Sequence, residues 1–359
     1  MPFDTREFSA TRSANRDLAI WLFAICFMIL VMVVLGGVTR LTGSGLSIME
    51  WAPVSGVLPP LSHADWEHLF ALYKQIPQYQ ILHPGMGLRG FQGLFWMEWI
   101  HRLWGRLLGV AFLVPLVWFW LRGRLTRSLR RRLVLFFILG GLQGAVGWFM
   151  VSSGFFPDST AVAPLRLAVH LALALLLYAA IFWTALSLSS PGRVISAPLL
   201  RPALALFLGL LSITIVAGSI VAGTHAGFLD NTFPLMEGRL VPPGYAVHNL
   251  LANLPAVQFN HRALATLTAL TGAAIVARFW RGLDGRANRA VLALGFFLLL
   301  QYLLGVATLL LVVPTELAAL HQANAVLLLS AALWCLHQTG PALRTGMNPA
   351  SHSLPVESS

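Results

Sequence analysis

Long apolar runs alternate with short polar connections along almost the whole chain. Eight of the runs are long enough to cross a membrane, and they cover about residues 18–37, 92–120, 132–151, 164–188, 200–222, 256–280, 289–313 and 317–338. A helix of about 20 apolar residues spans the hydrocarbon core of a bilayer. Because lipid offers no partners for backbone N–H and C=O groups, such runs must satisfy them internally as helices. The pattern therefore predicts an all-α polytopic membrane protein with eight transmembrane helices.

The composition supports this fold class and excludes several others. Of the 359 residues, 57% are hydrophobic and 10% are charged, whereas soluble domains carry about 25% charged residues. A soluble enzyme, a disordered chain and a disulfide scaffold are therefore all poor fits. The two cysteines, Cys26 and Cys335, both lie in apolar runs and predict no disulfide framework. The polar first 17 residues, with no small-residue cleavage site after the first run, predict no cleaved signal peptide.

The net charge of +11 is distributed by membrane side rather than concentrated in one patch. The two tails and alternate short loops hold 16 basic residues, while the other side holds five, spread over longer loops. Positively charged loops stay in the cytoplasm, so both termini are predicted inside and the two long loops outside. The charge thus indicates membrane topology and not a nucleic-acid partner.

The first long loop, about residues 38–91, contains an amphipathic segment. Ser62 and Asp65 have the spacing of a capping box. The large apolar side chains that follow fall near one helical face: Trp66, Leu69, Phe70, Tyr73 and Ile76. This predicts a helix over about 62–79 that either lies on the outer leaflet or covers a site as a lid.

The two halves of the chain carry the same short motifs in the same order. The pairs are Thr42-Gly-Ser-Gly45 with Thr224-His-Ala-Gly227, His101-Arg102 with His261-Arg262, Gln143-x-x-x-Gly147 with Gln301-x-x-x-Gly305, and His170 with His321. Such repeats are common in membrane folds. They predict two four-helix bundles, at 18–188 and 200–338, joined by a cytoplasmic linker at 189–199. The remaining residues form two cytoplasmic tails, 1–17 and 339–359, of which the second is predicted to be disordered.

Four histidines recur at equivalent positions near the outer ends of the even-numbered spans: His101, His170, His261 and His321. Ionisable groups inside a membrane are costly and tend to mark function. Facing imidazoles from two helices of a bundle suit a porphyrin, since imidazole is a common axial ligand of haem iron. The alternative is an ordinary hydrogen-bonded histidine at each position. Zinc is less favoured, because the histidines lack the spacing of zinc ligands.

The halves differ one helical turn before the first histidine of each, where Glu98 corresponds to Gln258. Glu98 shares a helix face with His101. A buried carboxylate there suits proton transfer at a reacting centre. The alternative is a structural ion pair with Arg102 or Arg106. The asymmetry suggests that the first bundle does chemistry and that the second holds a passive or electron-carrying haem.

These residues resemble a known family. The strings concerned are Gly36-Gly-Val-Thr-Arg-Leu-Thr-Gly-Ser-Gly-Leu-Ser47, Trp51, Pro59-Pro60 and Trp96-Met-Glu-Trp-Ile-His-Arg-Leu-Trp-Gly-Arg106. From about residue 20 to 338 the chain resembles haem A synthases of the mitochondrial and alphaproteobacterial type. The resemblance implies oxidation of the C8 methyl group of haem O to a formyl group, which gives haem A for terminal oxidases. Other branches of that family carry cysteine pairs in the outer loops, and this chain has none at 48–55 or 223–255.

The resemblance also assigns roles and partners. It implies that His101 and His170 flank the substrate haem O, that Glu98 assists catalysis, and that His261 and His321 ligate a haem b. We expect haem O synthase, terminal-oxidase assembly factors and an unidentified electron acceptor as partners, and the bacterial inner membrane as the location. The haem sites would lie near the periplasmic face, and a homo-oligomer is left open.

Two other functions remain open from the sequence. A di-haem b electron carrier that oxidises quinol and makes no new haem would use the same four histidines. A transporter built on the repeat is weaker, since no span is visibly broken by paired Gly and Pro at mid-membrane.

Overall fold

The computed structural model describes residues 5–189, 197, 199–245, 251–283 and 285–339, with the backbone alone for 5–14. The helices in these residues are α1 (Thr5–Leu41), α2 (His63–Tyr73), α3 (Pro77–Leu82), α4 (Leu88–Leu121), α5 (Arg127–Val151), α6 (Pro164–Ser189), α7 (Leu200–Thr224), α8 (Leu254–Phe279), α9 (Gly285–Leu310) and α10 (Thr315–Gln338). This part of the chain contains no β-strand. The all-α fold class is confirmed.

Eight of the helices, α1 and α4 to α10, are long and apolar enough to cross a membrane, as predicted. The helix α1 extends beyond its apolar run, so the first tail is helical from Thr5 onward. Most of the predicted linker 189–199 and nearly all of the tail 339–359, with Arg193 and Arg344, lie outside the described residues. We call the side that carries the connections 42–87 and 225–253 the long-loop side, and the opposite one the arginine side.

Like α1, two further helices begin earlier on the arginine side than their apolar runs do. α5 starts at Arg127 instead of 132 because Thr126 caps it, its Oγ1 accepting from the Leu129 N–H at 3.3 Å. α9 likewise starts at Gly285 instead of 289. Several arginines predicted in loops therefore lie on the first turns of helices: Arg127, Arg130, Arg131, Arg132, Arg286 and Arg289.

The core of the fold is built around α1, which contacts α4, α6 and α10. Its buried positions recur every three or four residues, as a packed helix face requires: Leu18, Leu22, Ile25, Ile29 and Val33. α10 contacts α6, α7 and α9 as well as α1. The two halves of the chain thus meet through α1 and α10 and through α6 and α7.

Polar groups tie these two halves together inside the apolar core. Gln322 on α10 donates from Nε2 to the carbonyl of Val33 on α1 at 3.0 Å. The hydroxyl groups of Tyr178 and Ser330 lie 2.6 Å apart, between α6 and α10. Near the long-loop side, Arg40 donates to the carbonyl of Ala222 at the end of α7. These contacts fix the register of one half against the other.

The amphipathic segment of the first long loop forms α2 and α3. The capping box of α2 is present, with the Asp65 N–H donating to Ser62 Oγ at 3.1 Å and the Ser62 N–H donating to Asp65 Oδ2 at 3.0 Å. Phe70 and Tyr73 each pack on Phe91 of α4, at 5.3 Å between ring centroids. The apolar face of α2 is therefore held by the first turns of α4.

Candidate functional site

The four predicted histidines lie in two pairs. α4 and α6 bring His101 within electrostatic range of His170, and α8 and α10 do the same for His261 and His321. All four histidines are half-buried, so each keeps some accessible surface. Among the described residues no group of three or more His, Cys, Asp and Glu could hold a bare metal ion. The arrangement is that of two imidazole pairs.

Each histidine ring lies against a glycine of a neighbouring helix. A Cβ atom added to Gly36, Gly147, Gly218 or Gly305 would stand 3.4, 3.0, 2.8 or 2.9 Å from the nearest atom of His101, His170, His261 or His321, respectively. Two of these four distances are below 3.0 Å and a third is 3.0 Å, so an alanine at these three positions would fit only if the ring moved. The absence of a side chain at these positions makes room for the imidazoles.

Glutamines at equivalent positions hold the second histidine of each pair. Gln143 Nε2 lies 3.0 Å from His170 Nδ1 and donates to the His170 carbonyl at 2.7 Å. Gln301 Nε2 lies 3.2 Å from His321 Nδ1, while its Oε1 accepts from Asn324 at 2.8 Å. Each Gln-x-x-x-Gly string therefore gives the second histidine of its own pair a polar contact, from the glutamine, and space for the ring, from the glycine.

The tautomer of His261 follows from its partner. His261 Nδ1 lies 3.2 Å from the Thr214 carbonyl oxygen. A carbonyl can only accept, so Nδ1 carries the proton and Nε2 keeps its lone pair. An Nε2 lone pair on a half-buried ring is the form that ligates iron.

Glu98 is buried and accepts four hydrogen bonds. Its Oε2 accepts from Ser47 Oγ at 2.7 Å and from the Ile48 N–H at 2.9 Å. Its Oε1 accepts from Arg102 Nη2 at 2.6 Å and Nε at 3.1 Å. Of the two arginines considered as ion-pair partners, Arg102 is the one in contact. Arg106 instead donates to the backbone carbonyls of residues 52 and 53.

The arginines next to this site fasten the loop that follows α1. Arg102 donates to the carbonyls of Ile48 at 2.7 Å and Glu50 at 2.9 Å. Its guanidinium also lies over the ring of Trp148, which stacks on Trp51 at 5.7 Å. The segment 47–53 is thus held against α4, next to His101, by main-chain bonds, the Ser47 hydroxyl and one aromatic stack.

The second half repeats this arrangement with the acid in a different place. Gln258 Nε2 donates to the Asp230 carbonyl at 2.8 Å, and Arg262 donates to the Thr232 carbonyl at 2.9 Å. Asp230 is itself buried, with Oδ1 accepting from the N–H and hydroxyl of Thr232. Each half therefore has one buried carboxylate beside its loop-anchoring arginine, on the helix in the first half and on the loop in the second.

Comparison with known families gives an unambiguous match. The model of the COX15-CtaA family, described as cytochrome oxidase assembly protein, matches residues 19–333. The chain belongs to this family.

Similar proteins share most of the chain. A protein of Granulibacter bethesdensis named Heme A synthase is 58% identical over 350 residues, which cover 96% of this chain and 92% of that one. A protein of Acidiphilium cryptum named Heme A synthase 2 is 49% identical, over 91% of this chain and 92% of its own length. A Heme A synthase of Rhodospirillum centenum is 48% identical, over 92% and 90%. The resemblance seen in the motifs is therefore confirmed.

The residues of this family member fit a haem group at each pair. Each half pairs two imidazoles, each ring lies against a glycine that leaves space for it, and His261 presents the ligating tautomer. Haem is held in this way by histidines on facing helices.

Asp230 is the residue of this region that the sequence analysis missed. The motif pair Thr42 and Thr224 aligns the two loops, and that alignment sets Asp230 opposite Ile48. Glu98 and Gln258 both lie on helices, whereas Asp230 lies on a loop. Extending the comparison of the two halves into the loops would have found the second carboxylate.

Proposed function

We propose that this protein is a haem A synthase that oxidises the C8 methyl group of haem O to a formyl group. Membership of the cytochrome oxidase assembly family and relatives named Heme A synthase support this activity. The observation that carries it is a difference between the two matching histidine pairs: a buried carboxylate, Glu98, lies one helical turn before His101, whereas an uncharged Gln258 holds that place before His261. A carrier that only passes electrons has no need for such a difference between otherwise matching sites.

We assign the first pair, His101 and His170, to the substrate haem O, and the second pair, His261 and His321, to a resident haem b. The two bundles at 18–188 and 200–338 would then be a substrate unit and a cofactor unit. The bound haem groups supply the redox chemistry of a conversion that removes four electrons from the methyl carbon and adds one oxygen atom. The protein's own residues orient the porphyrin, and Arg102 holds the 47–53 loop next to His101.

Glu98 is the proposed proton-handling residue of the first site, acting with His101 and His170 as the catalytic set. Its Oε2 shares a hydrogen with Ser47 Oγ at 2.7 Å, while Arg102 holds Oε1. The serine hydroxyl is the one donor of the four that can rotate away without moving backbone or a guanidinium. A proton could therefore be exchanged at Oε2 while the loop stays anchored through Oε1.

The test is Glu98→Gln in the full-length protein, because the second half already uses a glutamine at this position beside an arginine. A positioned acid or base contributes roughly 10²–10⁴-fold in rate. We expect haem A to fall by such a factor, with haem O or a hydroxylated intermediate accumulating, while the haem b content stays normal. Glu98→Ala serves as the matched variant in which loop anchoring is also lost.

Two results would contradict this role. Wild-type product ratios in well-folded Glu98→Gln would remove Glu98 from the catalytic set. Loss of folded protein with normal turnover in the remainder would assign it to the ion pair with Arg102 alone. If the protein purified from cells that also make haem O carries only unmodified haem b, and no haem A forms, the electron carrier is favoured instead.

We further propose that the long-loop side faces the periplasm and that the arginine side faces the cytoplasm of a bacterial inner membrane. The 16 to five distribution of basic residues supports this orientation. Reporter fusions at Gly85 and Gly244 should be active only with a periplasmic reporter, and a fusion at Arg127 only with a cytoplasmic one. The opposite pattern would reverse the orientation. In this topology haem O arrives through the membrane from haem O synthase, and haem A passes to oxidase assembly factors.

A further inference from the structure

A cavity of about 440 Å³ opens on the arginine side, among the ends of α6, α9 and α10. His337 lines it, 16 residues after His321 on the same helix. At 1.5 Å rise per residue, the cavity lies about 24 Å along α10 from the second histidine pair. It is separate from the candidate site, and none of the proposed chemistry uses it.

The lining of this cavity favours an anion. Arg286 and Arg289, from the first turns of α9, both contribute to it, and none of the lining residues within the described part of the chain is Asp or Glu. Trp334 completes one wall. Basic pockets between helix ends at the membrane surface bind phosphate-bearing lipid head groups, and tryptophan side chains concentrate at the same depth.

His337, one of the lining residues, has a buried ring nitrogen without a hydrogen-bond partner among the described residues. His337 is 7% exposed, and its Nδ1 contacts no donor or acceptor among the described residues. Its Nε2 lies 3.5 Å from Ser187 Oγ, whose own hydrogen is donated to the Trp183 carbonyl at 2.9 Å. Nε2 must therefore carry the hydrogen of the neutral ring, which leaves Nδ1 as an acceptor. A ligand that satisfies Nδ1 has to bring a hydroxyl or N–H donor.

We propose that this cavity binds the head group of an anionic phospholipid whose phosphate carries a hydroxylated substituent, as in phosphatidylglycerol. Arg289, supported by Arg286, holds the phosphate, and a head-group hydroxyl donates to His337 Nδ1. An ammonium head group brings an N–H donor too, but the guanidinium group of Arg289 repels it. Phosphatidate has the phosphate without the hydroxylated substituent.

Native mass spectrometry of the full-length protein, delipidated and then offered single lipids, tests this site. We expect phosphatidylglycerol to be retained at least tenfold better than phosphatidylethanolamine or phosphatidylcholine. Arg289→Gln should weaken phosphatidylglycerol and phosphatidate alike, by tenfold or more, because a charge-assisted hydrogen bond is lost. His337→Phe, which keeps a ring against Trp183, should weaken phosphatidylglycerol and leave phosphatidate unchanged. Arg289→Lys keeps the charge and should retain most of the binding.

The matched control is Arg281→Gln, which removes an arginine of the same side that packs on Trp280 and does not line the cavity. It should bind phosphatidylglycerol like the wild type. Equal retention of all four lipids, or equal loss in the Arg281 and Arg289 variants, overturns the proposal. Displacement of the lipid by millimolar inorganic phosphate would make this a site for free phosphate and also overturn it.

Discussion

The contact between each histidine and its glycine predicts a graded series of alanine substitutions. Carbon atoms in contact normally stay about 3.5–4.0 Å apart. A methyl group at position 218 would stand 2.8 Å from His261 Cε1, and one at position 305 would stand 2.9 Å from His321 Cε1. At position 147 the distance to His170 Cε1 is 3.0 Å. Each of these rings would have to move by roughly 0.5–1.2 Å.

The cost follows from this overlap. Inserting a methyl group into a packed site costs about 1–3 kcal/mol, which is a loss of roughly 5–150-fold in affinity for a group held by that ring. Gly218→Ala and Gly305→Ala should therefore reduce haem b retention, and Gly147→Ala should weaken haem O binding. Gly36→Ala should remain close to wild type, since a Cβ atom there would be 3.4 Å from His101 Nε2, an ordinary contact.

The assay is the low-spin haem spectrum per mole of folded protein, followed by haem titration of each variant. Gly144→Ala, one turn before Gly147 on α5, and Gly209→Ala on α7 are matched controls, because neither position has any atom within 4 Å of the added carbon. Alanine in these helices should even stabilise by up to about 1 kcal/mol. Full haem retention in Gly218→Ala, or equal losses at 144 and 147, would refute the reasoning.

Three further substitutions test contacts outside the histidine pairs. Gln322→Leu removes the 3.0 Å bond to Val33 and should lower resistance to denaturing detergent by about 0.6–2 kcal/mol; unchanged resistance would contradict its role between the halves. Burial, and then the charge of Arg40, lower the pKa of His225. The stability that its neutral ring contributes is therefore fully present above about pH 6.5 and is lost as the pH falls below that value. His225→Asn should flatten that acid loss in thermal unfolding, and an unchanged acid limb would count against it. Burial, then Glu98 and Tyr79, raise the pKa of Tyr73 to about 12, so its contribution is full below about pH 10 and lost as the pH rises through 12. Tyr73→Phe should abolish this alkaline step in unfolding followed by tryptophan fluorescence, and a persisting step would assign it to other groups.

The eight spans and the four histidines could be predicted from the sequence because the signals are physical and local. A bilayer demands apolar runs of fixed length, and an imidazole in such a run stands out from its neighbours. The paired Gln-x-x-x-Gly strings also pointed to the right helices, since in both halves they contact the second histidine. The structure was needed to show what each string does: its glutamine contacts the histidine, and its glycine leaves space for the histidine ring.

The loop anchors could not be predicted, because the partners of Arg102, Arg106 and Arg262 are backbone carbonyls. Every residue has a backbone carbonyl, so no residue type in the sequence identifies the carbonyl that accepts the arginine's hydrogen bond. The early starts of α5 and α9 could not be predicted from hydrophobicity, because their first residues include arginines and so fall outside the apolar runs. In α5 the start is set by the cap residue Thr126.

Arg102 and Arg106 hold the 47–53 loop through main-chain carbonyls, so the side chains at the accepting positions can change without loss of these contacts, in contrast to Ser47 and Trp51, whose side chains make contacts of their own. A substitution at Glu50 or Ala52 changes a side chain and leaves the accepting carbonyl where it was. A saturation scan of these positions should therefore be permissive, while either arginine should tolerate almost nothing. Lineages can gain or lose reactive side chains such as thiols there without rerouting the chain next to His101.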